Sequence, residues 1–215
     1  MAAKHLIAQV SKAFFGYGPN HATIWLQGRL AVFASALTGP RLQEALAQDP
    51  FGRACMRQIN RLYVRDAQQA IGQAAAGAGV RLACVASDLD LPRRWALGVG
   101  IAERPLPGAA AEREATADWR TRLEPGLGAQ VRDVQAGPLL VHASTRLPDA
   151  LKTPGPEALP SQTLAHLEAW EAFRARLEAA MIPAVVAHTP LTTWAAVDDG
   201  AGQLRLIFVV APSSR

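Results

Sequence analysis

Apolar residues recur at helical spacing in some stretches of the chain and alternate with polar ones in others, and the order of these stretches predicts the architecture. Leu6, Ile7, Val10 and Phe14 share one helical face, so Ala3 to Phe15 reads as an amphipathic helix stopped by GYGPN. ATIWLQGRLAVFASAL then gives two β-rich runs meeting at Gln27-Gly28, a hairpin signal. A short helical stretch follows Pro40 and reaches Ala47, and Asp49-Pro50 supplies a capping side chain and a first-turn proline for a long helix over about 51–76. Its expected apolar stripe is Met56, Ile59, Leu62, Tyr63, Ala67, Ala70, Ile71 and Ala74. After Gly77 and Gly79, VRLACVAS and WALGVGIAE alternate with period two, separated by the turn-like DLDLPRR.

The order then recurs. Ala111 to Leu123 reads as a helix, AQVRDVQAGPLLVHAST as a second hairpin, and Ser161 as the cap of a long helix running to Met181. PAVVAHT and QLRLIFVVA give a last strand pair around DDGAG. LLVHAS at 139–144 repeats four letters of LAVFAS at 30–35, and element order and turn position agree as well. The expected fold is α+β: two related units, 1–105 and 106–215, each an antiparallel four-stranded sheet of two hairpins with helices on one face. A fused pseudo-dimer would account for the duplication, and the expected assembly is a monomeric pseudo-dimer or a homodimer.

Composition narrows the class. Half of the residues are hydrophobic and the balance is 22 basic to 18 acidic, mildly basic and compatible with an anionic partner without requiring one. No apolar run approaches the roughly 18 residues of a membrane span, and residues 1–18 lack a signal peptide's continuous apolar core. Cys55 and Cys84 have no paired spacing, which points away from a disulfide framework or a zinc site and toward reduced thiols in a cytoplasmic protein.

Several of these segments resemble a known family. GYGPN before a hairpin ending in Leu37-Thr38, an arginine-bearing long helix, and VRLACVASDLD with WALGVGIAE are similar to the MpsC domain, a small domain named for a sodium-translocating, membrane-potential-generating system. The first unit, about 16–104, carries the resemblance, and the second follows it in outline. Gly98 and Gly100 stand where that family's last strand carries larger and acidic residues. The resemblance implies an accessory role beside a membrane transport protein, with no catalytic residues and no cofactor.

Four chemical features stand out. Arg53, Arg57, Arg61 and Arg65 recur every four residues, so they form a basic row winding slowly around the long helix. The row is either a surface for a small anion, acidic lipid headgroups or an acidic protein partner, or a solvated face paired with acids such as Asp49 and Asp66. No aromatic ladder accompanies it, which argues against nucleic acid. Asp88 and Asp90 place two carboxylates at a strand end, where they could hold a cation or make local turn bonds. His142 and His188 fall in expected strands of one unit and, with Asp198 or Asp199, could support acid–base chemistry. AGAGV runs from helix to strand, the wrong direction for a phosphate loop. The expected function is therefore a non-enzymatic accessory or binding module for membrane ion transport or membrane-potential homeostasis. The alternative is a regulator with its small-molecule ligand in the cleft between units.

Overall fold

The computed structural model describes residues 22–36, 45–46, 48–111, 113–114, 117–152, 160–187 and 191–210. The expected N-terminal helix, the stretch around Thr38 and His188 lie outside them. The first unit has strands β1 (Ala22–Gln27), β2 (Leu30–Ala36), β3 (Leu82–Asp90) and β4 (Trp95–Ala102), with helix α1 (Pro50–Gly77) between β2 and β3. The second has β5 (Arg113–Glu114), helix α2 (Ala117–Leu127), β6 (Asp133–Ala136), β7 (Leu140–Arg146), α3 (Pro160–Ala180), α4 (Ile182–Val186), β8 (Leu191–Asp198) and β9 (Gln203–Val210). Both sheets are antiparallel, ordered β1-β2-β4-β3 and β5-β6-β7-β9-β8. Without the two-residue β5, the order is the same. The fold is α+β with two related units.

Local chemistry sets the boundaries. The β1–β2 turn closes on Gly28 at φ 52, a left-handed value that glycine adopts without a Cβ penalty. Asp49 caps α1 by accepting from the Gly52 amide at 2.7 Å, and Pro50 occupies the first turn, where its missing N–H costs nothing.

Each sheet packs its helices on one face and the other sheet on the opposite face. Phe33 and Ala31 lie with Val64, Ile71 and Ala75 of α1. Val141, Ala143, Leu206 and Phe208 lie with Leu123, Trp170, Phe173 and Leu177. Between the sheets, Leu30, Val32, Ala34, Leu97 and Val99 meet Leu140, Ala195, Val197, Ile207 and Val209. Gln27 joins the units at one side: its side-chain amide donates to the Leu140 carbonyl at 2.8 Å and its carbonyl accepts from the Leu140 amide at 2.9 Å. A Cβ at Gly137 would overlap that amide, so glycine is needed there for close approach.

Several expectations are corrected. Four-letter identity pairs Phe33 with His142, yet Phe33 packs under α1 while His142 faces between the sheets. The spatial counterpart of Leu30 is Leu140, one residue later than the letters suggest, because a one-residue slip exchanges the faces of a strand. The described part of PAVVAHT is not a strand: Ile182 to Val186 forms a helical turn, closed by Val185 N–H to the Met181 carbonyl at 3.1 Å, with Pro183 in its first turn. A short apolar run without alternation suits a buried strand or a helix equally, and the strand starts at Leu191. Arg113 and Glu114 add a short strand where a helix was expected, and the helix begins at Ala117. The stripe of α1 is turned in part: Ile71 is buried and Ala67 and Ala74 pack on the core as expected, whereas Ile59 is 66% and Tyr63 44% exposed, and Ala54, Arg57, Val64 and Ala75 face inward in their place. A buried arginine on that face hides it from a hydrophobicity pattern.

Candidate functional site

The terminal strands of the two sheets, β3 and β8, approach each other, and the chemistry of the molecule gathers along that junction. A terminal strand exposes unpaired backbone groups, and here the side chains of β3 satisfy some of those of β8. Asp88 Oδ2 accepts from the Ala196 amide at 2.8 Å, and Asp90 Oδ2 accepts from the Trp194 amide at 3.3 Å and the Thr193 hydroxyl at 2.7 Å. Strand β3 runs on to Asp90, so these carboxylates project from a strand, and beside their long-range partners they keep local ones, Asp88 Oδ1 accepting from the Leu89 amide at 2.8 Å.

Arginines from both long helices converge on the same carboxylates. Arg57 of α1 donates to Asp88 Oδ1 at 2.8 Å, to the Leu89 carbonyl and to Glu171 of α3. Arg174 of α3 donates to Asp88 and lies 4.0 Å over the Trp194 ring. Arg93 reaches Glu178 at 2.8 Å and Asp90 at 3.4 Å, and Arg53 reaches Glu171 at 3.6 Å. Four arginines and four acids thus balance in charge, as a buried cluster must, since an unpaired charge there would cost several kcal/mol. Burial, opposed by Asp88, lowers Arg174 to about 10, still protonated at neutral pH. Among the described residues no three potential metal-ligating side chains gather.

The arginine row therefore divides. Arg57 and Arg53 face the junction and are engaged by acids of the second unit. Arg61 stacks 4.3 Å from the centroid of the Trp170 ring, and burial, opposed by Asp88, holds its guanidinium below the usual range. Arg61 and Arg65 line a cleft of about 560 Å³ between the units. Its walls are α1, residues 83–87 of β3, Thr163, His166 and Trp170 of α3, and residues 197–200. Successive strand residues point to opposite faces, so five consecutive lining residues mean that the open edge of β3 looks into the cleft. The indole N–H of Trp170 is shared between the Leu151 carbonyl and His166 Nε2, each at 3.1 Å, which fixes the ring. Burial and nearby Arg61 lower the His166 pKa, against the Leu151 carbonyl.

A smaller cavity of about 210 Å³ adjoins the cleft, sharing Ala83, Cys84 and Asp199 with it. His142, Arg29 and Arg205 line it. His142 is pushed down to about 4, by burial first and then by Arg205 and Arg29, with Asp199 acting the other way. It makes no hydrogen bond to Asp198 or Asp199 among the described residues. Burial, then Asp199, pushes the Cys84 thiol up to about 11, so it is not a thiolate at neutral pH. Sequence reasoning found Arg61, Arg65 and His142 but missed Trp170, Arg174 and Gln27, whose roles depend on partners in distant segments. No family model, curated protein or solved structure matches this chain.

Proposed function

We propose that the protein is a non-enzymatic binding module that takes a small anionic molecule into the cleft between its two units. The observation carrying this reading is the cleft wall itself, where the Arg61 guanidinium and the Trp170 ring sit together beside the open edge of β3. Arginine offers a charge-assisted donor fork to a carboxylate or phosphate, the buried Trp170 ring stacked under Arg61 holds that guanidinium against the wall, and edge-strand amides and carbonyls add directional bonds. Its size falls within the range of small-molecule sites.

Calorimetric titration with a nucleoside monophosphate and an aromatic carboxylate tests the reading. Binding by either probe, weakened at least tenfold in Arg61→Gln with Arg65→Gln, is the expected result. No heat with either probe, or binding indifferent to both substitutions, overturns it.

The accessory role beside a membrane transport protein is a second reading, supported by the outward face of α1. Phe51, Ile59 and Tyr63, 57%, 66% and 44% exposed, align there at helical spacing. A photo-crosslinker at position 59 should capture a membrane transport protein in cells. Capture of none counts against this reading.

A further inference from the structure

The smaller cavity beside the cleft carries a separate inference. It lies between the sheets, with Arg29, Cys84 and Ile101 from the first unit facing Gln135, His142 and Arg205 from the second. At about 210 Å³ it is below the usual range for nucleotide-sized ligands. His142 is only 8% exposed, and its Nε2 has no hydrogen-bond partner among the described residues. A buried donor or acceptor left unpaired is destabilising, so this atom is where a ligand oxygen gains most.

The charge around it is positive. Arg205 donates through Nε to Asp199 Oδ2 at 2.9 Å, which holds its guanidinium in place and leaves both terminal nitrogens without a hydrogen bond among the described residues. Asp199 is itself fixed, its Oδ1 accepting from the amides of Ala201 at 2.9 Å and Gln203 at 3.1 Å. Arg29 stands exposed at the rim, with no ion pair among the described residues. Two guanidinium groups face one carboxylate, and the histidine between them is neutral.

We propose that this cavity is a receptor for a compact oxyanion of the phosphate or sulfate class, bound by the guanidinium groups of Arg29 and Arg205 and by His142 Nε2. Arg205 is the preset donor, Arg29 closes over the anion from the rim, and His142 places its ring N–H on a third oxygen. The ligand ties the two units together, because its donors come from both.

Calorimetric titration of the full chain with inorganic phosphate and with sulfate, at constant ionic strength and neutral pH, tests this. Binding is expected at or below about 1 mM, with a tenfold or greater loss in Arg29→Gln, which changes only an exposed side chain. His142→Phe should lose binding similarly and His142→Gln should retain most of it. Phosphate should also move the ring ¹⁵N resonance of His142, a readout that stands even if His142→Phe fails to fold. No binding of either anion by the wild-type chain, or binding unchanged in Arg29→Gln with an unmoved His142 resonance, overturns the proposal. Phosphate binding lost in Arg61→Gln but kept in Arg29→Gln would place the anion in the cleft, overturning this site while leaving the cleft reading intact.

Discussion

Behind its sheet, the second unit buries four aromatic rings, Trp170, Phe173, Trp194 and Phe208, with the partly buried Trp119 packed against them and Trp194 and Phe208 stacked at 6.2 Å. The corresponding cluster of the first unit holds Phe33 among Ala31, Ala75 and Ala102. The two units share a strand order and differ in how they are stabilised. Large rings bury much apolar area, so the second unit has the deeper core, while the first contributes both strand carboxylates of the junction, Asp88 and Asp90. The two sheets are alike in strand order, yet one is the better-packed scaffold and the edge of the other forms a wall of the cleft.

The largest effect should come from emptying the better-packed core. Trp194→Ala removes a fully buried ring and leaves Glu178 and Arg174 without its contacts. It should cost about 5 kcal/mol by chemical denaturation, against about 3 for Phe33→Ala. Equal costs would mean that the units are packed alike. Asp88→Ala should cost about 3–5 kcal/mol, because it leaves Arg174 without an acid partner and removes one of the two that hold Arg57, one arginine from each unit. A loss under about 1 kcal/mol would show that the cluster does not hold the units together.

The hairpin around Gln27-Gly28, the Asp198–Gly202 turn with the strand after it, the Asp49 cap and the two long helices were legible because their signals are local. The junction was not. Asp88 to Arg174, Arg57 to Glu171 and Gln27 to Leu140 join residues 86, 114 and 113 positions apart, and no short-range pattern encodes such pairs. The misjudged stripe of α1 has the same origin: Arg57 faces inward because Asp88 and Glu171 are there to meet it. Of the candidate site, the arginine row and His142 could be seen in the sequence, but not which members line the cleft.

A pH series sharpens the comparison at the sheet interface. His142 is lowered from 6.5 to about 4 in the folded chain, so its contribution is fully present above pH 6.5 and is lost as pH falls toward 4. Between those values the unfolded chain takes up a proton that the folded chain refuses, which can cost up to about 3 kcal/mol. His142→Gln should lose that part of the acid sensitivity, and an unchanged profile would contradict the assignment. Gly137→Ala forces a methyl group onto the Gln27 amide and should cost about 1–3 kcal/mol; thermal denaturation would show whether the units tolerate a looser clamp. Ile59→Ser, on the outward face of α1, should stay within about 0.5 kcal/mol. A larger loss would mean that this face is covered in solution.

Amide hydrogen exchange along the two terminal strands tests the central claim most directly: that the first unit's carboxylates seal β8 while the edge of β3 is left open to the cleft. The amides of Trp194 and Ala196 should exchange only with global unfolding, although they belong to a terminal strand, and the outward amides of residues 83–87 should exchange far faster. Fast exchange at 194 and 196, or equal protection of both strands, would contradict it.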